Sequence, residues 1–144
     1  MSVRFIRLTL NVFAFWLVLQ NTPQLVFAVE LKATSSSYAY SVINKFLAPE
    51  GNAVETPDCA HKEFGPHITQ LFDRTLNRYV FRFHVHRDFD NDRCKKDDRQ
   101  RIEIKVYAKS PEFLKAISGD AYIYRWKFRL SSEFQPSRRF THLH

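Results

Sequence analysis

The apolar positions of this chain change rhythm along its length. From Leu8 to Leu19 they run together, broken only by Thr9 and Asn11, with Arg4 and Arg7 before them and the polar stretch Gln20–Gln24 after them. A short positive region, an apolar run shorter than the roughly 20 residues of a spanning helix, and a small residue closing Val26-Phe27-Ala28 together make the pattern of a secretory signal peptide cleaved after Ala28. An uncleaved signal anchor is the alternative. Residues 1–28 are thus expected to be the signal peptide and residues 29–144 one exported domain, too short for two separate cores.

Within that domain the first rhythm is helical, a short amphipathic stretch over Ser41 to Leu47 that gives way to the turn signals Pro49, Gly51 and Pro57. Residues 66–77 carry Ile68, Leu71 and Leu76 at a loose helical spacing, which predicts a second helix. From Tyr79 the period becomes two. Tyr79, Phe81, Phe83 and Val85 alternate with Val80, Arg82, His84 and His86; Arg101, Glu103, Lys105 and Tyr107 alternate with Ile102, Ile104 and Val106. A third run, Ala121 to Leu130, sets Tyr122, Tyr124, Trp126, Phe128 and Leu130 against Ile123, Arg125, Lys127 and Arg129, and Thr141 and Leu143 alternate with Phe140, His142 and His144. Successive side chains of a strand point to opposite faces, so these runs predict half-buried strands. Because no helix-length period separates them, the expected fold is all-β and antiparallel.

Charge narrows the partners. The chain has 22 Lys+Arg against 15 Asp+Glu, a formal net charge of +7, and only Arg4 and Arg7 belong to the signal region, so the exported part stays basic. A basic exported surface suits anionic partners, and the secretory route with no Lys/Arg block or nucleic-acid motif sets nucleic acid aside. The two cysteines, Cys59 and Cys94, both lie in the exported part, where an even count predicts one disulfide.

The candidate binding chemistry lies on the polar strand faces. Arg101, Glu103 and Lys105 share one face at intervals of about 7 Å, a row in which the carboxylate orients the guanidinium while Arg and Lys engage sugar carboxylates or sulfates. A solvated face laced with cross-strand ion pairs is the plainer alternative. The segment Asp92 to Tyr107 (DRCKKDDRQRIEIKVY), followed by Tyr124-Arg125-Trp126-Lys127-Phe128 and Phe140-Thr141-His142-Leu143-His144, resembles the opening half of secreted jelly-roll polysaccharide lyases of the alginate- and glucuronan-lyase type. That resemblance implies an antiparallel jelly-roll-like β-sandwich with a groove for an acidic polysaccharide and no cofactor. It implies Arg101 as neutraliser of the uronate carboxylate, with His142 or His144 as neutraliser or base. Glu103, Lys105, Tyr107, Arg125 and Lys127 would then bind substrate. The implied reaction is β-elimination, in which Tyr107 or Tyr124 would protonate the leaving oxygen. The chain departs from the family in reading His142-Leu143-His144 where a Gln-x-His is usual. It also lacks a later Tyr-x-Lys-x-Gly-x-Tyr strand, so it is expected to be a truncated or reduced member, with a lyase and a non-catalytic glycan-binding or structural module as the two alternatives and the missing strand favouring the module.

A second constellation draws on some of the same residues. His84-Val85-His86 and His142-Leu143-His144 are His-x-His pairs on predicted strands, and neighbouring strands would let all four imidazoles converge on a divalent metal, as in cupin-like barrels. The alternating acids Asp88, Asp90 and Asp92 lack the Gly and terminal Glu of an EF-hand loop and read as a solvated turn.

Overall fold

The computed structural model describes residues 28–86, 90–97, 99–136 and 141. The expected signal peptide, with the exception of Ala28, lies outside the described residues, as do His142 and His144. The described residues from Leu31 onward belong to one compact unit. Among the described residues no helix is long and apolar enough to cross a membrane.

The helix expected over Ser41 to Leu47 is present and begins two residues earlier, as α1, Ala39–Leu47. Ala39, Ile43 and Leu47 recur every fourth residue, so they stack on one stripe, and all three are buried. Lys45 in the last turn faces the negative end of the helix dipole, and Pro49 follows the end of the helix. Asn44 then fastens the helix to what comes next: its Oδ1 accepts from the Ala53 N–H at 2.8 Å and its amide donates to Asn52 Oδ1 at 3.2 Å.

Among the described residues four short strands form two antiparallel pairs. Strand β1, Val54–Glu55, pairs with β4, Glu103–Ile104, in the register Val54↔Ile104 and Glu55↔Glu103. Strand β2, Ile68–Asp73, forms a hairpin with β3, Arg78–Phe83, from Ile68↔Phe83 to Asp73↔Arg78. A strand therefore stands where the spacing of Ile68, Leu71 and Leu76 predicted a helix. The Asp73 carboxylate explains the difference, because its Oδ1 accepts from the N–H groups of Thr75 and Leu76 and so closes a turn instead of continuing a helix. Asn77, at φ 51°, completes that turn in the left-handed region that Asn tolerates.

The core is small. Ala39, Ile43, Leu47 and Ala48 meet Ala53, Val54 and Ile68, and Phe81, Ile102, Ile104 and Tyr107 pack against this cluster from the strands. The apolar back predicted for residues 101–107 is accordingly turned inward at Ile102 and Ile104. On β3, Phe81 packs on the core while Tyr79 and Phe83 remain exposed, because a two-stranded hairpin has no second sheet over that part of its face. Gly51 is required by a close approach: a Cβ there would collide with the Tyr107 hydroxyl, which accepts from the Asn52 N–H at 2.7 Å.

Residues 121–130 differ from expectation. They take no strand assignment, and side chains of both alternating sets are exposed, Trp126 at 58% and Ile123 at 79%. The sequence alternates as a strand would, but a strand also needs a neighbour to pair with, and among the described residues no strand pairs with this segment. The described architecture is thus mostly non-helical, with two small sheets.

Candidate functional site

The row Arg101-Glu103-Lys105 finds its main partner inside the protein. Glu55, on β1 and only 7% exposed at its side chain, pairs with Arg93 and Arg101 at 2.9 Å each and with Lys105. Glu103 lies 3.5 Å from Arg101 and, directly opposite Glu55 in the β1–β4 register, shares that face at its more exposed margin. Asp92 adds a second acid, 2.8 Å from Arg93 and 3.4 Å from Arg101. Burial pushes the Glu55 carboxyl up, but hydrogen bonds from Lys105 and Arg101 and the charges of Lys105 and Arg93 outweigh it and hold the group at about 2. The sequence showed the cations of this row; the buried acid that gathers them comes from a strand some 50 residues earlier and carried no local signal. Lys105 also lies over the Tyr107 ring at 5.6 Å.

Arg125 and Lys127 are placed differently. Both are exposed on the extended segment between Tyr124, Trp126 and Phe128, and among the described residues neither has an acidic partner, whereas Arg129 is tied to Asp73 at 2.9 Å.

A denser constellation forms at the other end of the β2–β3 hairpin. His67 immediately precedes β2, His86 lies three residues beyond β3, His61 sits in the turn region after Cys59, and Asp90 belongs to the segment Asp90–Asp97. Each contributes one donor atom to a group lying within 4.8 Å of one another. His67 Nε2 is 3.0 Å from Asp90 Oδ1 and 3.3 Å from His86 Nδ1, His86 Nδ1 is 3.3 Å from Asp90 Oδ1, and His61 Nδ1 is 3.8 Å from that same oxygen. The His67 and Asp90 side chains are 0% exposed.

Sequence-local and long-range contacts both hold this cluster in place. Asp90 Oδ2 accepts from the His86 N–H at 2.6 Å, and Gln100 donates to the His86 carbonyl at 2.9 Å. On the far side of His67, Nδ1 is 2.8 Å from Asp58 Oδ1, and the Asp58 carboxylate in turn accepts from the Tyr40 hydroxyl of α1. Burial and the neighbouring Asp58 raise the Tyr40 pKa above its ordinary 10.0. Phe64 covers the rings, its centroid 5.1 Å from that of His67 and 4.1 Å from that of His86. The expected disulfide is present: Cys59 and Cys94 are bonded with Cα atoms 6.0 Å apart, so the turn that carries Asp58 and His61 is covalently tied to the segment that carries Asp90.

Of the four histidines considered as His-x-His metal ligands, His86 enters this cluster. His84 instead lies 2.8 Å from Thr69 Oγ1, and burial, with the nearby Arg82, His86 and His67, lowers its pKa below the ordinary 6.5. His142 and His144 lie outside the described residues. His61, His67 and Asp90 escaped sequence reading because they come from three segments with no shared periodicity; the one available hint was the proximity of His61 and Asp90 to the two cysteines. Comparison with known proteins returned no matching family model, no matching curated sequence and no matching solved structure.

Proposed function

We propose that this chain is a secreted, acidic-polysaccharide-binding domain related to jelly-roll polysaccharide lyases and acting as a binding module. The observation that carries this reading is the exposed run Tyr124-Arg125-Trp126-Lys127-Phe128, which offers aromatic faces beside two cations with no acidic partner among the described residues. Aromatic rings stack on the apolar faces of pyranoses, and Arg and Lys supply charge-assisted hydrogen bonds to uronate carboxylates. In this reading Arg101 and Lys105 serve the domain through Glu55, and Arg125 and Lys127 take the role of glycan ligands. Export is supported by the N-terminal sequence pattern and is compatible with the Cys59–Cys94 disulfide.

Binding of fluorescent polyuronate oligomers tests the proposal. Replacing both Arg125 and Lys127 with Ala is expected to weaken binding by about 1–3 kcal/mol, Trp126→Ala to weaken it comparably, and Lys95→Ala to leave it nearly unchanged. Equal losses at Lys95 and at Arg125/Lys127, or equal affinity for every polyanion, would reduce the segment to a generic basic surface. The same samples report on catalysis, since β-elimination yields an unsaturated, ultraviolet-absorbing product. Binding without that product identifies a module, and its appearance identifies a lyase.

A further inference from the structure

The cluster of His61, His67, His86 and Asp90 is independent of the glycan reading, and we propose that it is a structural zinc site. Donor atoms about 2.0–2.1 Å from a tetrahedral zinc lie about 3.3 Å from one another. Four of the six separations are 3.0, 3.3, 3.3 and 3.8 Å, close to that edge length, and all six lie within 4.8 Å. Three imidazoles and one carboxylate form a borderline donor set suited to zinc, whereas calcium and magnesium call for six or more oxygens.

The surroundings match a metal centre in a second respect. A ligating histidine ordinarily donates its other ring N–H to a carboxylate or carbonyl, which fixes the tautomer and aims the lone pair at the metal. His67 has this arrangement, with Nδ1 against Asp58 and Nε2 facing the cluster, and Asp58 is itself oriented by Tyr40. Both ring nitrogens of His67 face a carboxylate, Asp58 at 2.8 Å and Asp90 at 3.0 Å, and Nδ1 of His86 lies 3.3 Å from its Nε2. A zinc ion accounts for all four convergent donors together.

Four protein ligands fill a tetrahedral shell and leave no open position, which makes the ion a fastener rather than a catalyst. It would join three segments of chain: the turn after Cys59, the open end of the β2–β3 hairpin, and Asp90–Asp97. A domain whose buried apolar core consists of Ala39, Ile43, Leu47, Ala48, Ala53, Val54 and Ile68 gains much from such a fastener, because metal affinity adds directly to folding free energy.

The experiment uses untagged protein as secreted, stripped with chelator and titrated with zinc, with bound metal measured by mass spectrometry. One zinc per chain is expected, together with a higher thermal midpoint and, on cobalt substitution, the intense visible absorption of a tetrahedral site. His61→Gln and His86→Gln, whose side chains are partly exposed, are expected to lower affinity at least tenfold while circular dichroism shows a retained fold. Asp58→Asn is expected to cost about 10- to 100-fold through the tautomer of His67. His84→Gln and a double replacement of His142 and His144 should bind as the parent does. A folded parent protein that takes up no zinc would overturn the proposal. Uptake that survives the His61 and His86 replacements but fails with His84 or with His142 and His144 would overturn it as well.

Discussion

Replacing Glu55 with Gln keeps the shape of the side chain and removes the charge on which Arg93, Arg101 and Lys105 converge. A carboxyl held at about 2 against an ordinary 4.5 is stabilised in its ionised form by about 3 kcal/mol, at about 1.4 kcal/mol per pKa unit. The three cations are each about a third exposed, so water can solvate them once the acid is gone, and the expected loss is nearer 2 kcal/mol. The pH dependence has a definite sign. A depressed carboxyl contributes its full stability above its unfolded value, near 4.5, and loses that contribution as pH falls toward about 2. Urea unfolding followed by circular dichroism at pH 6 and at pH 3 should therefore show a gap between parent and Glu55→Gln that shrinks by about half at the lower pH. A gap of the same size at both values, or a variant as stable as the parent at pH 6, would refute the view that Glu55 is the ionised hub of this network.

Other consequences are equally open to measurement. The unreduced, denatured protein should show no titratable thiol, and replacing Cys59 and Cys94 together with Ala should cost about 4 kcal/mol by the loop-entropy estimate for a separation of 35 residues. Gly51→Ala should be markedly destabilising in the parent and less so in a Tyr107→Phe background, since the hydroxyl is the group a Cβ would strike; equal penalties in the two backgrounds, read from chemical denaturation, would contradict that contact. Sequencing of exported protein should begin at Val29, and a mature chain that starts at Met1 would reject cleavage after Ala28.

What could be read from sequence was what neighbouring residues decide. The helix was visible over Ser41 to Leu47, where Ile43 and Leu47 repeat at the spacing of one helical stripe, and β3 was visible because aromatic and polar residues alternate from Tyr79. The disulfide followed from an even cysteine count in a chain expected to be exported. Residues 66–77 misled because Ile68, Leu71 and Leu76 fall at a loose helical spacing, and the deciding group was Asp73, whose short acceptor captures two backbone donors. The partners of Arg101 and Lys105, and the meeting of His61 with His67, His86 and Asp90, depend on long-range packing that periodicity does not encode. Alternation over 121–130 specified side-chain direction without specifying a neighbour, which is why a predicted strand and an exposed extended segment share one pattern.

The two consecutive residues Arg93 and Cys94 both adopt positive φ, 55° and 57°, a backbone that costs non-glycine residues about 1–2 kcal/mol each. They are kept there by the Asn91 side chain, which accepts from the Cys94 N–H at 2.7 Å, and by the Arg93 ion pairs. Cys94 thus reaches Cys59 from a turn that would otherwise relax. The segment resembles a cocked catch: oxidation closes it, the Glu55 network bears on it from one side, and the imidazole cluster shares its Asp90 end. Reduction should consequently be felt first as a rearrangement of this turn, detectable as faster amide hydrogen exchange at Arg93 and Cys94 before the α1 core begins to open.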